Sequence, residues 1–445
     1  MLTETFIDSL EVVRGVPLTQ KLRSKLCFCL LDYVGCFFAG RRFCENQGRL
    51  MSEVGGDCAG RALWLGFLAH MIELDDGHRV GMVPPGVPVI SALLAVAENH
   101  EVNFDDFLHA VLVGYEATVR LACAVQPGCK LRGYHATGTC GTIGAAMAVA
   151  ALLHLDKEQT RSAFAAATTS AAGLLEMITG QSELKPYNAG RAAMDGVMAA
   201  LFGRHGFLPP DDALGGKRGF LAAMTDAPKL NYLSGMPDSK FAVETIYQKP
   251  YASCRHCHAP IEAALRLADC IEDVNDVESI CVETYKLAVF GHDEKIVQNS
   301  SEAKMSIPYS VAAALVRKSG GIESFSDEAI VDSRIRKIAC RVQVVERSDF
   351  TNVCPAKRIA RVILKLSAGK ELDWQVDYPR GEPENPLLDD ELQAKFIELS
   401  HVAGMNVSEA QLLSRLILNG TFCNLKDVLL KMGPKYDSTF SHRVQ

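Results

Sequence analysis

A change of periodicity about halfway along the chain limits its possible folds more than any other feature. Up to about residue 208, apolar residues recur at helical spacing, and many of them are small, with Ala and Gly prominent. Helices are expected over residues 10–39, 87–98, 104–123, 142–153, 157–177 and 190–203. Gly40 is expected to end the first, and Asp105 and Asp156 stand where N-caps belong. Small side chains let helix axes approach closely, so this half is expected to form an all-helical bundle. Pro and Gly then cluster at Leu208-Pro209-Pro210-Asp211 and at Gly235-Met236-Pro237. Beyond them, alternation over residues 280–285, 338–345, 361–366 and 372–378 predicts strands, with helices over 259–271 and 308–318 between. From Asp389 the helical pattern returns. The expected class is mainly α: a large helical domain from residues 1–230 and 388–445, with a smaller α+β domain, 231–387, inserted.

Composition removes several alternatives. Of 445 residues, 48% are hydrophobic and 22% charged, which excludes a disordered, collagenous or coiled-coil chain. Forty-six basic against fifty-three acidic residues give −7, with no Lys/Arg block, so no nucleic-acid partner is expected. A net-negative chain that handles acids must concentrate its positive charge locally. The first residues are acidic where a secretory signal would be basic, and no uninterrupted apolar run reaches about 18 residues. No membrane span is therefore expected. Fifteen scattered cysteines without framework spacing predict reduced thiols in a cytoplasmic protein.

Four segments carry chemistry. Glu73-Leu74-Asp75-Asp76-Gly77-His78 gathers carboxylates and a histidine in one turn, suited to orienting a polar substrate or simply to capping and solvation. Tyr134-His135-Ala136-Thr137-Gly138-Thr139 opens a helix with small residues, leaving backbone N–H groups for an anion and His135 as acid, base or cap. Its glycines match neither a P-loop nor a dinucleotide fingerprint. Lys185 and Arg191 flank a Gly-softened helix start and form either a carboxylate clamp or a solvated pair. Lys249-Pro250-Tyr251-Ala252-Ser253-Cys254-Arg255-His256-Cys257-His258 contains the C-x-x-C-H haem pattern. Haem attachment normally follows export, and no export signal is present. A zinc site would need a second Cys/His pair at matching spacing, which is missing. The loop reads instead as one that aims His258, Arg255 and Lys249 into a cleft, or one that only packs an interface.

In this order, these segments resemble the MmgE/PrpD family over nearly the whole chain. The resemblance begins at Leu31-Asp32-Tyr33-Val34-Gly35-Cys36 and takes in Leu74-Asp75-Asp76 and His135-Ala136-Thr137-Gly138-Thr139. It continues through Lys185 with Gly190-Arg191-Ala192-Ala193, Cys254 with His258, and Ser306-Ile307-Pro308-Tyr309. It ends with the 378–386 linker, Asp390-Glu391 and Lys395-Phe396. The resemblance implies a helical domain built from both chain ends with an α+β lid, and an active site in the cleft between them. It further implies a homodimer and no metal or organic cofactor. Matching positions are Glu73, Gly77, His135, Lys185, His258 and Tyr309. Two departures stand out. The family's His before Pro-Gly or Pro-Ser is replaced by Val83 or Pro84, and Gly77 and Asn188 stand where Thr and His are common.

The implied chemistry is proton movement at a carbon beside a carboxylate. Such a C–H is a weak acid, so the site must neutralise the carboxylate and hold a base. Lys185, Arg191 and Arg255 suit the first task, with Glu73, Asp76, Gly77 and His78 completing the substrate wall. His135 and His258 suit the second, and Tyr309 can donate a proton. The expected function is a 2-methylcitrate dehydratase-like lyase on a small di- or tricarboxylate. Epimerisation, decarboxylation and binding without turnover stay open.

Overall fold

The computed structural model describes residues 1–43, 56–180, 182–367 and 369–419; the expected helical continuation over 420–445 lies outside them. Numbering the longer helices in chain order, the first half contributes α1 (Leu2–Arg14), α2 (Gln20–Phe43), α3 (Cys58–His70) and α4 (Gly86–Ala97). It continues with α5 (Phe104–Val125), α6 (Ala136–Leu152), α7 (Lys157–Ser170) and α8 (Lys185–Arg204). The second half adds α9 (His258–Ala268), α10 (Ile307–Arg317), α11 (Asp389–Val402) and α12 (Val407–Asn419). One sheet joins β1 (Val277–Thr284), β2 (Val342–Glu346), β3 (Ala360–Leu366) and β4 (Glu371–Val376) in the order β2-β1-β3-β4. β1 and β2 are parallel and the other pairs antiparallel. The chain is mainly helical with a small mixed sheet.

Several expected boundaries move, each for a local reason. The single helix over 10–39 is two, α1 and α2, interrupted near Pro17, which has no N–H to continue the ladder. Gly40 does not end α2. A Cβ there would collide with the Leu68 carbonyl, so this glycine lets α3 cross closely. Gly66 and Gly190 do the same between α3 and α8, where a Cβ on Gly66 would lie 2.8 Å from the Gly190 Cα. α7 stops at Ser170 rather than at 177, ahead of Gly173 at φ +127°. Asn103, not Asp105, caps α5, accepting from the Asp105 amide at 2.8 Å. Asp156 does cap α7, in a reciprocal capping box with Gln159.

α6 is apolar all round and buried along its whole length, which makes it the central rod of the bundle. Among the described residues, α5 alone is long and apolar enough to cross a membrane, and 94% of its apolar window is buried inside the protein. The thirteen cysteines among the described residues are all unpaired.

Two hydrophobic clusters organise the molecule. One is built from α1–α8 and receives Phe396, Ala410 and Leu413 from α11 and α12. The other surrounds the sheet, α9 and α10, and receives Leu399 from α11 and Ile72 and Leu74 from the turn after α3. α11 therefore serves both. Burying a side chain such as Phe396 contributes roughly 1.5–3 kcal/mol. Lys395 adds a polar tie, its Nζ 2.6 Å from Asp32 Oδ1 on α2 and 2.7 Å from the Leu74 carbonyl.

Candidate active site

Helix ends and loops converge where the two clusters meet. α3 delivers His70 and the acidic turn behind it. His135 is the N-cap of α6, and Lys185 is the first residue of α8. The loop before α9 brings Lys249, Cys254, Arg255 and His256, and Arg358 precedes β3. Together they line a cavity of about 120 Å3 that shares Glu73, Lys130, Lys185 and His292 with a wider cleft of about 800 Å3.

The acidic turn forms a charge cluster. Glu73, at φ +56°, is reached by Lys185 at 2.6 Å and Lys249 at 3.4 Å, and Lys249 also lies 3.6 Å from Asp75. Burial alone would raise the Glu73 carboxyl. The two ammonium groups outweigh it and hold the carboxyl well below its usual range. His70 Nδ1 lies 2.9 Å from Asp75 Oδ2, while its Nε2 is buried without a hydrogen-bond partner, 3.7 Å from Glu73 Oε1. A carboxylate on Nδ1 selects the tautomer with the lone pair on Nε2.

Asp76 behaves differently. Its carboxylate accepts from the Tyr115 hydroxyl at 2.6 Å and the Gly86 amide at 3.1 Å, yet burial, with no cation at hand, pushes it up to about 7. Gly77 pairs through its backbone with Tyr247, whose ring occupies the space a side chain at 77 would need. His78 turns away from the cavity, accepting from the Gly81 amide at 3.0 Å, and burial pushes it down to about 3.

His135 lines the cavity. The Asn188 amide donates both to its Nδ1 at 3.3 Å and to the Leu174 carbonyl, which leaves the proton on Nε2, 3.0 Å from Thr137 Oγ1. Burial, with Lys185 adding to it, pushes His135 down to about 3, so it is a neutral donor. Arg255 also lines the cavity, held by Glu382 at 2.7 Å and stacked 4.3 Å from the Tyr247 ring.

Besides His78, three residues expected at the site are engaged elsewhere. His258 is fully buried behind Arg255, accepting from its guanidinium at 2.9 Å and meeting the Ser253 carbonyl at 3.1 Å. Tyr309 sits in the second cluster with its hydroxyl donated to the Ser324 carbonyl at 2.9 Å. Arg191 pairs with Asp195 and donates to the Ser170 and Gly138 carbonyls, tying helices together. None of the three lines the cavity.

Other cavity residues were not singled out from the sequence: His70, Lys130, Tyr247, His292 and Arg358. His70 had a usable signal, a histidine at the last turn of an apolar helix just ahead of a carboxylate cluster. Lys130 and Arg358 had none. Among the described residues neither makes an ion pair; Arg358 donates only to the Arg79 carbonyl at 2.9 Å, and its buried Nε has no partner. Val83 and Pro84, the departure from the resembled pattern, are on the cavity wall.

A family model described as the MmgE/PrpD N-terminal domain matches residues 6–233, and one described as the MmgE/PrpD C-terminal domain matches residues 251–416. The chain is 27% identical over 370 residues to the cis-aconitate decarboxylase-like protein oryM of Aspergillus oryzae, covering 76% of this chain and 75% of that protein. It is 25% identical over 430 residues to the cis-aconitate decarboxylase of Homo sapiens, covering 89% and 87%. With both family models matched in order along most of its length, the chain belongs to the MmgE/PrpD family.

Proposed function

We propose that this chain is a lyase that moves a proton at a carbon beside a carboxylate of a small di- or tricarboxylate. The observation that carries this reading is the pair Lys130 and Arg358. Among the described residues five cations line the cavity: Lys130, Lys185, Lys249, Arg255 and Arg358. Lys185 and Lys249 are matched by Glu73, and Arg255 by Glu382, whereas among the described residues Lys130 and Arg358 face the cavity with no ion pair of their own, Glu382 acting on Arg358 only from beyond pairing distance. Lys130 is half-buried and Arg358 buried, and cations withdrawn from water without an ion-pair partner are costly unless a ligand supplies the charge. Two such cations suit an acid with more than one carboxylate.

In this reading Lys130 and Arg358 take the carboxylates and lower the cost of the developing carbanion. His70, oriented by Asp75, accepts the proton at Nε2. The neutral His135 Nε2–H, 3.0 Å from Thr137 Oγ1 in the free protein, exchanges that acceptor for the enolate oxygen, as a neutral imidazole donates in other proton-transfer sites. The Lys185 ammonium supplies a proton to the departing group or to the carbanion carbon. The segment 231–387 acts as a lid over the cavity, and the names of the relatives favour loss of a group from a tricarboxylate.

A second reading rests on Val83 and Pro84. An apolar wall where the resembled pattern has a histidine suits an isomerase, or a member that binds a different acid without turnover. Proton NMR of citrates, aconitates, malates and tartrates in D2O with the purified protein separates these. Solvent deuterium entering beside a carboxylate with loss of water or CO2 supports the lyase. Exchange with only inversion supports the isomerase. Binding without exchange in any acid overturns both catalytic readings.

A further inference from the structure

Cys254, His256 and His292 bring one ligand atom each to within 4.8 Å of one another, and all three residues line the cavity. The sequence places two of them in one loop. The third comes from the segment after β1, which is why spacing alone discloses no metal site. We propose that these three side chains form a site for a zinc-class divalent cation, with the remaining coordination position facing the cavity.

The hydrogen bonds around the cluster hold the histidines as a metal requires. His292 Nδ1 lies 2.7 Å from the Met305 carbonyl, which can only accept, so Nδ1 carries the proton and the Nε2 lone pair is free. His256 Nδ1 lies 2.7 Å from the Tyr285 hydroxyl, again leaving Nε2 as the outward nitrogen. A polar partner on the second ring nitrogen is the usual support of a ligating histidine. The two rings lie 4.9 Å apart between centroids.

The backbone ties the ligands to a common support. The Cys254 amide donates to the Lys304 carbonyl at 2.9 Å, the residue next to Met305, and the Ile307 amide donates to the His292 carbonyl at 2.8 Å. One short segment therefore fixes both loops. Tetrahedral zinc with bonds of about 2.0–2.3 Å needs ligand atoms roughly 3.3–3.6 Å apart, so the cluster closes by about 1 Å on binding. One sulfur and two imidazoles select zinc and its neighbours over magnesium or calcium, which prefer oxygen. Three protein ligands with an open fourth position is the arrangement of sites that bind a further small molecule.

The inference does not depend on the lyase reading, and its test needs no substrate. Metal-free protein is titrated with Co2+ and followed by absorption. The expected result is one equivalent bound, with a thiolate-to-cobalt charge-transfer band in the near ultraviolet and the strong visible bands of a four-coordinate ion. Zn2+ should displace it. Cys254→Ser should remove the charge-transfer band, and His292→Ala should weaken binding by about 10–100-fold or more. A Cys270→Ser/Cys340→Ser control, at two exposed cysteines, should leave the spectrum unchanged. Failure of the wild-type protein to bind Co2+, or a charge-transfer band that survives Cys254→Ser, overturns the assignment whether or not any variant folds poorly. X-ray absorption of the zinc form should show one sulfur and two imidazole ligands; a sulfur-only shell overturns it equally.

Discussion

Lys185 and Lys249 share one carboxylate: Lys185 Nζ is 2.6 Å from Glu73 Oε1 and Lys249 Nζ is 3.4 Å from Oε2. Lys185 opens α8 of the helical half, and Lys249 lies in the loop before α9. Glu73 is thus the electrostatic junction between the two hydrophobic clusters. Removing one partner of a buried pair leaves the other uncompensated, at about 3–5 kcal/mol. Glu73→Gln is expected to lower stability by that order and to cut turnover at least a hundredfold. Urea unfolding and a turnover assay check both, and a stability within about 1 kcal/mol of wild type would refute the junction.

Lys130 and Arg358 are expected to bind rather than to react. Lys130→Met and Arg358→Met should each weaken carboxylate binding by roughly 10–100-fold, the value of one charge-assisted hydrogen bond of about 1.5–3 kcal/mol. Burial holds the half-buried Lys130 ammonium below its usual range, so Lys130→Met should not destabilise the free protein; burial acts the same way on Arg358 but Tyr285, Tyr247 and Glu382 outweigh it, so Arg358→Met should cost some stability. Calorimetric titration with a tricarboxylate, beside thermal unfolding, reads the two effects. Unchanged affinity in both variants would remove the basis of the proposed substrate class.

The proton acceptor is expected to be His70, with Asp75 as its positioning partner. His70→Asn should abolish deuterium exchange while leaving carboxylate affinity within a few-fold. Asp75→Asn should cost about 10²–10⁴ in rate by releasing the wrong tautomer. By contrast, Tyr309→Phe should retain turnover and lose only about 1 kcal/mol, the value of its hydrogen bond to Ser324. A dead Tyr309→Phe enzyme of normal stability would return Tyr309 to the catalytic set.

The pH dependence of stability should carry two opposed contributions. His78 titrates near 6.5 when unfolded and near 3 when folded, so between these values the unfolded chain binds the extra proton. Its contribution therefore rises with pH from about 3 to about 6.5 and is flat above. Asp76 titrates near 3.9 unfolded and about 7 folded, so there the folded state holds the proton and stability falls between about 4 and 7. His78→Asn, which keeps an acceptor for the Gly81 amide, should flatten the loss of stability on acidification; Asp76→Asn should remove the decline toward neutral pH. Urea midpoints measured every half pH unit give both slopes, and unchanged slopes would contradict the assigned burial effects.

Much of the fold was legible in residue spacing. Helices α4 to α8 and all four strands fall at or near their expected positions, because long amphipathic or wholly apolar stretches leave the chain few alternatives. Gly40 shows where that reading stops. As a residue type it is a helix terminator, and only the approach of Leu68 makes it a crossing point. Arg191 and Tyr309 show the same for the site. Each has the right chemistry for catalysis, but Asp195 and Ser324 claim them at short range.

The sequence by itself determined the family, the helical class and the residue types gathered near Glu73, His135, Lys185 and Arg255, since these depend on local pattern and on order along the chain. Tertiary structure alone decided which polar groups stay unpaired. Whether Lys130 and Arg358 find an ion-pair partner, whether His70 keeps a free lone pair, and whether His292 meets Cys254 depend on segments far apart in sequence. Pairing of buried charges acts over a few ångströms of space, and one-dimensional spacing carries no record of it.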